Sequence, residues 1–383
     1  MVFSHTWKAS FVALASAFLF SGSTQAQVTT VAKQAVLLDY DTGEILFCQE
    51  CDAKVPPSSM SKLMTTELLL QRVKDGRLKL EDTLHVSEYA WREQFRHPGA
   101  SLTWLAVNSD VSVDTLLKGI IVQSGGDACV VVAEALGGDE AGFAAMSNKR
   151  AEELGLTNSH FVNATGMPDP EHLMSAHDIA KLSAHIIRDY PEQYHYFSIP
   201  EFTWSNINQP NRNRLLFMNI GADGLKTGHT EAAGYGIVGS AIRDGRRLVV
   251  VVNGLPSEAA RNNEAARLLN IGFREYRPYE LVAANAAIGE APVWGGATDK
   301  VRLTVRDALK AIMPADSRKD VKVRLRYNGP IAAPIAAGQE VGTVVVNIPG
   351  KPERTVPLIA AEAVPETGIF GRMMIGMQAL LGG

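Results

Sequence analysis

Ser59 and Lys62 stand three residues apart, just after Pro56-Pro57 and at the head of the apolar run Met60, Leu63, Met64, Leu68 and Leu69. At a helix start this spacing puts both side chains on one face, so the lysine amine can reach back one turn and take the serine proton. Free N–H groups of the same turn offer a donor to an oxyanion. The plain alternative is an N-cap serine followed by a solvated lysine. Two later stretches weigh against it: Ser124-Gly125-Gly126-Asp127 and Lys226-Thr227-Gly228-His229. A serine-lysine pair, a second serine in a glycine turn and a K-T-G segment are each weak alone, but in this order they form a specific set for acyl transfer through a serine.

The elements that would hold these residues are legible around them. Ala35 to Tyr40 and Glu44 to Phe47 flank Asp41-Thr42-Gly43, a hairpin pattern that delivers the chain to the Ser59 helix. That helix is predicted to run through Leu70 and Val73 and to stop at Asp75-Gly76, apolar enough to be central in the core. Residues 77 to 112 are mixed, with Gly99-Ala100-Ser101-Leu102 a polar turn. Helical periodicity returns at Val113, Leu116, Leu117, Ile120 and Ile121 and breaks at Ser124, where two glycines let the backbone turn tightly. Asp127 is expected to cap a further helix over Ala128 to Leu136.

Helical patterns continue over Glu140 to Leu154 and Ala176 to Ile187, separated by the loop Asn163 to Asp169. Tyr235 to Ile242 and Arg247 to Asn253 form a second predicted hairpin, and Ser257 to Glu275 a last amphipathic helix. Strands at both ends with helices between them imply one antiparallel sheet covered by helices, an α+β domain. Past Arg277-Pro278 the pattern changes to short alternating runs such as Val301 to Val305 and Val321 to Tyr327, which predict a small all-β domain over about residues 279–362. The alternating basic residues there read as a solvated strand face.

Composition narrows the function. With 383 residues, 46% hydrophobic and 20% charged, the chain is globular and long enough for two domains. A formal charge of -4 and the lack of a basic stripe argue against a nucleic-acid partner, and no metal-ligand motif or phosphate-cradling loop stands out, so neither metal nor cofactor is expected. Lys8, the apolar run Phe11 to Phe20 and the small residues up to Ala26 read as a secretory signal over 1–26; the run is shorter than the roughly 20 residues that span a bilayer. An extracytoplasmic address suits a local disulfide or structural thiols at Cys48 and Cys51 better than redox catalysis, because Cys48 follows a strand rather than opening a helix. Cys129 reads as a small buried residue.

At the far end, Ile369, Phe370, Met373, Met374, Met377, Leu380 and Leu381 fall on one arc of a helix, with Arg372, Gly376, Gln378 and Ala379 opposite and Ile375 the one misfit. The expected C-terminal amphipathic helix (363–383) is too short to span a bilayer and suits its surface instead, Arg372 being the one basic residue on the polar face.

With the three motifs, the signal, the β domain and the tail in place, the chain resembles the low-molecular-mass penicillin-binding proteins, the periplasmic serine D-alanyl-D-alanine carboxypeptidases, over nearly its whole length after the signal. The resemblance implies a transpeptidase/β-lactamase-like catalytic domain over 27–278 and an enzyme attached peripherally to the inner membrane. It makes Ser59 the acylated nucleophile, Lys62 its base, and Ser124 the serine of the middle motif. It gives Lys226, with Thr227 and Gly228, to the substrate's terminal carboxylate, and Arg212, in Asn211-Arg212-Asn213, a supporting role there. The backbone N–H groups of Ser59 and His229 would form the oxyanion hole; the His229 imidazole is either a general acid or a spacer whose N–H is what matters. Lys62 must be neutral some of the time, which burial beside cationic Lys226 favours. The expected partners are peptidoglycan stem peptides, β-lactam antibiotics as inhibitors, and a membrane surface.

One position departs from the family. Its middle motif usually has asparagine third, where this chain has Gly126. Glycine cannot offer the amide that serves substrate backbone and base, so restoring asparagine is expected to raise turnover. The same gap admits a second function, a stem-peptide or β-lactam-binding protein with poor turnover. A β-lactamase is a third; it would need a further carboxylate for its deacylating water, and no glutamate segment marks one.

Overall fold

The computed structural model describes residues 28–368, apart from 97–99, 350 and 352. The expected signal and the apolar arc from Ile369 onward lie outside the described residues.

The frame of the first domain is a five-stranded sheet in the order Ile45–Gln49, Gln34–Asp39, Arg246–Leu255, Gly234–Arg243, Ala222–Thr230. Every neighbouring pair is antiparallel. Both expected hairpins form, the second around Asp244 and Gly245 at φ 50° and 77°, the positive pair that a tight two-residue turn needs. Alternation decides which face each side chain serves. Val36, Leu38, Val249 and Val251 point into the larger core under the helices, whereas Leu37, Leu248, Val250 and Val252 point to the opposite face, covered by helix Glu258–Glu275. Because both faces are covered, Leu248 to Val252 is an unbroken apolar run rather than an alternating one.

Helix Gly126–Gly137 is the axis of the larger core, with every residue from Gly126 to Ala133 buried. Against it packs helix Lys62–Lys74, also buried from Lys62 to Leu70. Each fully buried Leu, Ile, Val or Met contributes about 1.5–3 kcal/mol, so the two helices are fixed far more firmly than the loops they carry. Helices Glu140–Glu153 and Ala176–Asp189 fall within a few residues of the sequence expectation. Asp127 does not cap: Gly125 is the N-cap, and the buried Asp127 carboxylate accepts from the N–H groups of Thr103 (2.8 Å) and Leu105 (3.0 Å), bracing the preceding loop.

The second domain holds a six-stranded sheet ordered Lys322–Tyr327, Glu340–Asn347, Arg354–Ala360, Lys300–Thr304, Gly289–Trp294, Ile331–Ala332, beside a two-stranded pair, Tyr276–Val282 with Leu309–Pro314. Its pairings reach past 362, since Val364 bridges to Ile335 and Glu366 to Gly296. Cys48 and Cys51 form a disulfide, and Cys129 is free and buried.

Candidate active site

Three elements converge on one cleft of about 550 Å³ lined by Ser59, Ser124, Arg212, Thr227, Gly228 and His229 among others. The first is the 3₁₀ turn Ser58–Ser61 that leads into helix Lys62–Lys74. Ser58 adopts φ 52°, an uncommon conformation for a residue with a side chain, held by a Ser58–Thr230 hydroxyl contact of 3.2 Å and by Ser61 Oγ donating to the Ser58 carbonyl at 3.0 Å. Ser59 is the half-buried residue of this turn, and Lys62 Nζ donates to its Oγ at 2.9 Å. Lys62 also donates to the carbonyl of Thr165.

That carbonyl belongs to the loop read from sequence only as a spacer. Asn163 Oδ1 accepts from the N–H groups of Thr165 (3.1 Å) and Gly166 (2.7 Å), and Thr65 Oγ donates to Ala164 O at 2.8 Å. The loop is thereby tied to the motif helix and aims Thr165 O at the lysine. The Asn-x-Thr-Gly turn signature was there to find, but nothing local says what the turn faces.

The second element is the break before helix Gly126–Gly137. Helix Val113–Lys118 widens into a π-turn over Gly119–Gln123, a feature concentrated at functional sites, and ends on Ser124 at φ 62°. Ser124 is buried and its Oγ accepts from Lys226 Nζ at 2.8 Å. The third element is the edge strand Ala222–Thr230, which lies along the motif turn. At Gly228 a Cβ would stand 3.0 Å from both Pro57 O and Ser58 Cβ, so only glycine lets the strand come this close. Alternate N–H groups of an edge strand point away from its sheet, here toward the Ser59 turn.

Burial sets the electrostatics. The Lys62 amine is pushed below the usual lysine range first by desolvation; nearby Cys129, Glu93 and Asp127 act the other way and Arg212 adds to the lowering. The Lys226 amine is lowered as well, by burial first and then by the like charges of Lys62 and Arg212. Two buried lysines in one site, each on a serine hydroxyl, therefore favour having one of them neutral.

Arg212 is exposed toward the cleft and donates from Nε to the carbonyl of Gln123 at 3.2 Å, with Asn211 and Asn213 buried on either side. The His229 ring stacks on Tyr235 across the strand pair, centroids 3.9 Å apart. Arg261, from the last helix of the domain, was missed from sequence because it is one of several arginines on an amphipathic face; it is buried, lines the cleft and sits 5.8 Å over the Tyr235 ring. Gly126 does not line the cleft. Its N–H donates to Ser101 O at 2.8 Å, and a Cβ there would stand 3.3 Å from Glu93 Cγ and 3.4 Å from Glu93 Oε1. Among the described residues, no group of three His, Cys, Asp or Glu is arranged to hold a metal ion.

An antiparallel sheet between helical layers, with a lysine-assisted serine at the start of the buried helix, defines an enzyme that works by acyl transfer to serine. The chain belongs to the D-alanyl-D-alanine carboxypeptidase (peptidase S11) family, whose profile matches residues 21–257; the profile of the penicillin-binding protein 5 C-terminal domain matches 276–366. It is 36% identical to the D-alanyl-D-alanine carboxypeptidase DacC of Escherichia coli K12, covering 93% of this chain and 91% of that one. Penicillin binding protein 5 from Haemophilus influenzae superposes with a TM-score of 0.76 at 36% identity, covering 88% of this chain and 99% of that chain. Penicillin-binding protein D2 from Listeria monocytogenes, in an ampicillin-bound form, superposes with a TM-score of 0.58 at 29% identity over 65% of this chain and all of that one (100%).

Proposed function

We infer that this chain is a serine-type D-Ala-D-Ala carboxypeptidase that removes the terminal D-alanine from peptidoglycan pentapeptide stems through an acyl-enzyme on Ser59. The observation that carries the reading is the 2.9 Å contact between Lys62 Nζ and Ser59 Oγ, in a chain of this family. Neutral Lys62 accepts the Ser59 proton as Oγ attacks the scissile carbonyl carbon. The oxyanion is received by the N–H groups of Ser59 and His229. Lys226 and Thr227, with Arg212 behind them, hold the terminal carboxylate, which lies one residue from the scissile bond and so fixes the peptide in line with Ser59. Ser124, its oxygen occupied by Lys226, gives its proton to the departing D-alanine amine as the C–N bond breaks, and the proton that Lys62 took from Ser59 then restores the Ser124 hydroxyl. Water then cleaves the ester, its hydroxyl joining the acyl carbon and its proton passing through neutral Lys62 to Ser59 Oγ, which restores the enzyme.

A β-lactam presents the same carboxylate and acyl carbonyl, so Ser59 is also the site of penicillin acylation; the ampicillin-bound form of the Listeria relative supports this. The test is release of D-alanine from a D-Ala-D-Ala tripeptide beside labelling by a fluorescent penicillin. Both should occur in the wild type and both should vanish in Ser59→Ala; a labelled Ser59→Ala protein rules out this nucleophile.

The reading extends to location: export by the signal over 1–26 to the periplasm, and peripheral attachment to the inner membrane through the apolar arc from Ile369 to Leu381. Two features support it, the Cys48–Cys51 disulfide, which belongs to an oxidising compartment, and the one-sided apolar pattern of the tail. Among the described residues no helix is long and apolar enough to cross a membrane. Deleting 366–383 should release the protein into the soluble periplasmic fraction with activity on a soluble peptide unchanged. Retention on the membrane after that deletion excludes the tail as the anchor.

A further inference from the structure

One end of the second domain is apolar and uncharged. Residues 291–298 and 328–338 contain no Asp, Glu, Lys or Arg. They meet where Gly289–Trp294 runs parallel to Ile331–Ala332, Val293 beside Ile331 and Trp294 beside Ala332. The inward residues of this end, Ala291, Ile331, Ile335 and Val364, are packed in the domain core. Trp294 is not: it is 60% exposed, and Pro292, Ala332 and Pro334 from the same two segments are exposed with it. An exposed apolar residue needs no explanation by itself, but the chain's exit beside this one gives it a partner.

That exit is fixed by three backbone contacts. Glu366 bridges to Gly296, and at 2.9 Å each the Ala297 N–H donates to Pro365 O and the Thr367 N–H to Gly295 O. Thr367 therefore lies against the residue that follows Trp294. Only Gly368 separates it from Ile369, the first residue of the apolar arc. Two residues of extended chain reach at most about 7 Å, which is about the thickness of one headgroup layer. An arc seated in the bilayer surface from Ile369 onward thus brings the Trp294 end of the domain to the same surface.

We propose that this end of the second domain is itself a membrane-contact surface, with the Trp294 indole seated at headgroup level beside the tail. The inference rests on the tail being the anchor, as read above. An indole suits that depth because its ring is apolar while its N–H stays hydrated. The charges on the adjoining strands come in cross-strand pairs, Lys300 with Glu290 at 3.1 Å and Arg302 with Glu362 at 2.8 Å, and Asp299 and Glu366 stand exposed at the rim. The surface is therefore not a basic one. Its attraction is that of apolar burial, which added salt does not screen. A tail alone holds the domain at one point; a rigid ring beside it also sets the angle at which the domain stands.

The test uses the exported chain, residues 27–383, and vesicles of phosphatidylcholine with phosphatidylethanolamine. Cys48 and Cys51 are bonded and Cys129 is buried, so Trp294→Cys offers an accessible thiol for an environment-sensitive fluorophore. On vesicles that label should brighten and shift to the blue, at low and high salt alike. A label that stays in water while the protein sediments with the vesicles overturns the proposal and leaves the tail as the anchor. A label already shielded before vesicles are added also overturns it, since the patch is then covered by the chain's own tail. A wild-type chain that never sediments with vesicles overturns the anchor reading, and this proposal with it. In the unlabelled protein, Trp294→Ser should weaken vesicle binding by about tenfold, the order expected for withdrawing much of one large apolar side chain. Its labelling by penicillin at Ser59 should be unchanged, which shows that it is folded; folded Trp294→Ser protein that binds vesicles as tightly as the wild type overturns the proposal as well.

Discussion

Lys226 Nζ donates to Ser124 Oγ at 2.8 Å, joining two walls of the cleft that are 102 residues apart in the chain. Both groups are buried, so removing either takes from the other its side-chain partner. Ser124→Ala and Lys226→Ala should each lower kcat/KM for D-alanine release by about 10²–10⁴. Because they act as one unit, the double variant should be little worse than the poorer single, as groups that work together are strongly non-additive. Peptide hydrolysis by the four proteins, wild type included, checks this; additive losses would mean separate roles.

The close approach at Gly228 yields a structural counterpart. A methyl group there meets Pro57 O and Ser58 Cβ at 3.0 Å and Met60 Cγ at 3.2 Å, none of which is the free end of a long exposed chain. Gly228→Ala must therefore push the edge strand off the motif turn. Overpacking of this kind costs about 1–3 kcal/mol, while a displacement near 1 Å between reacting groups can cost roughly 10² in rate. Acylation should fall much more than the denaturation midpoint, and equal proportional losses in both would show that the contact merely stabilises.

Much of this site is legible in the sequence, because its chemistry is local along the chain. Ser59 and Lys62 share a turn, and Lys226 to His229 share a strand. Both hairpins were legible for the same reason, since their turn residues dictate the backbone. Sheet order was not: Gln34–Asp39 pairs with Arg246–Leu255, a juxtaposition that no local pattern encodes. The residues that escaped are those whose role depends on what lies opposite. Thr165 acts through a carbonyl, which every residue has. Glu93 sits in a stretch without periodicity, and nothing local places it against Gly126. Asp127 looked like a cap because it precedes a helical run, yet its partners come from the loop at 103–105.

The motif helix carries a second buried network one turn beyond Lys62. Glu67, with no exposed surface, accepts from Arg150 Nε (2.9 Å) and Nη2 (2.7 Å), from Tyr190 OH (2.9 Å), and pairs with His185 Nε2 at 3.1 Å. Burial alone would raise its carboxyl, but the hydrogen bonds from His185 and Arg150 hold it below the usual range. Arg150→Ala strands this charge, and breaking such a buried pair costs about 3–5 kcal/mol. Urea denaturation should show the loss. The surviving folded protein should still acylate at a near wild-type rate, because Arg150 touches none of the groups around Ser59.

His172 gives a pH dependence of stability that is separate from catalysis. It lies 1% exposed, with Nδ1 accepting from Val162 N–H at 3.1 Å, and its ring meets Phe161 edge-on at 5.8 Å. Burial first, with the positive charge of Lys62 adding to it and Asp169 opposing, lowers its pKa to about 4. In the unfolded chain a histidine titrates near 6.5, so between those values the unfolded state binds the proton and the folded state does not. The stabilising contribution is therefore complete above about pH 6.5 and is lost as the pH falls toward about 4, amounting to up to about 3 kcal/mol. His172→Asn retains an acceptor for Val162 N–H and removes the titration. Its unfolding free energy should fall less steeply than that of the wild type between pH 7 and 4, by roughly that amount. Parallel curves for the two proteins would show that the acid lability of this fold arises elsewhere.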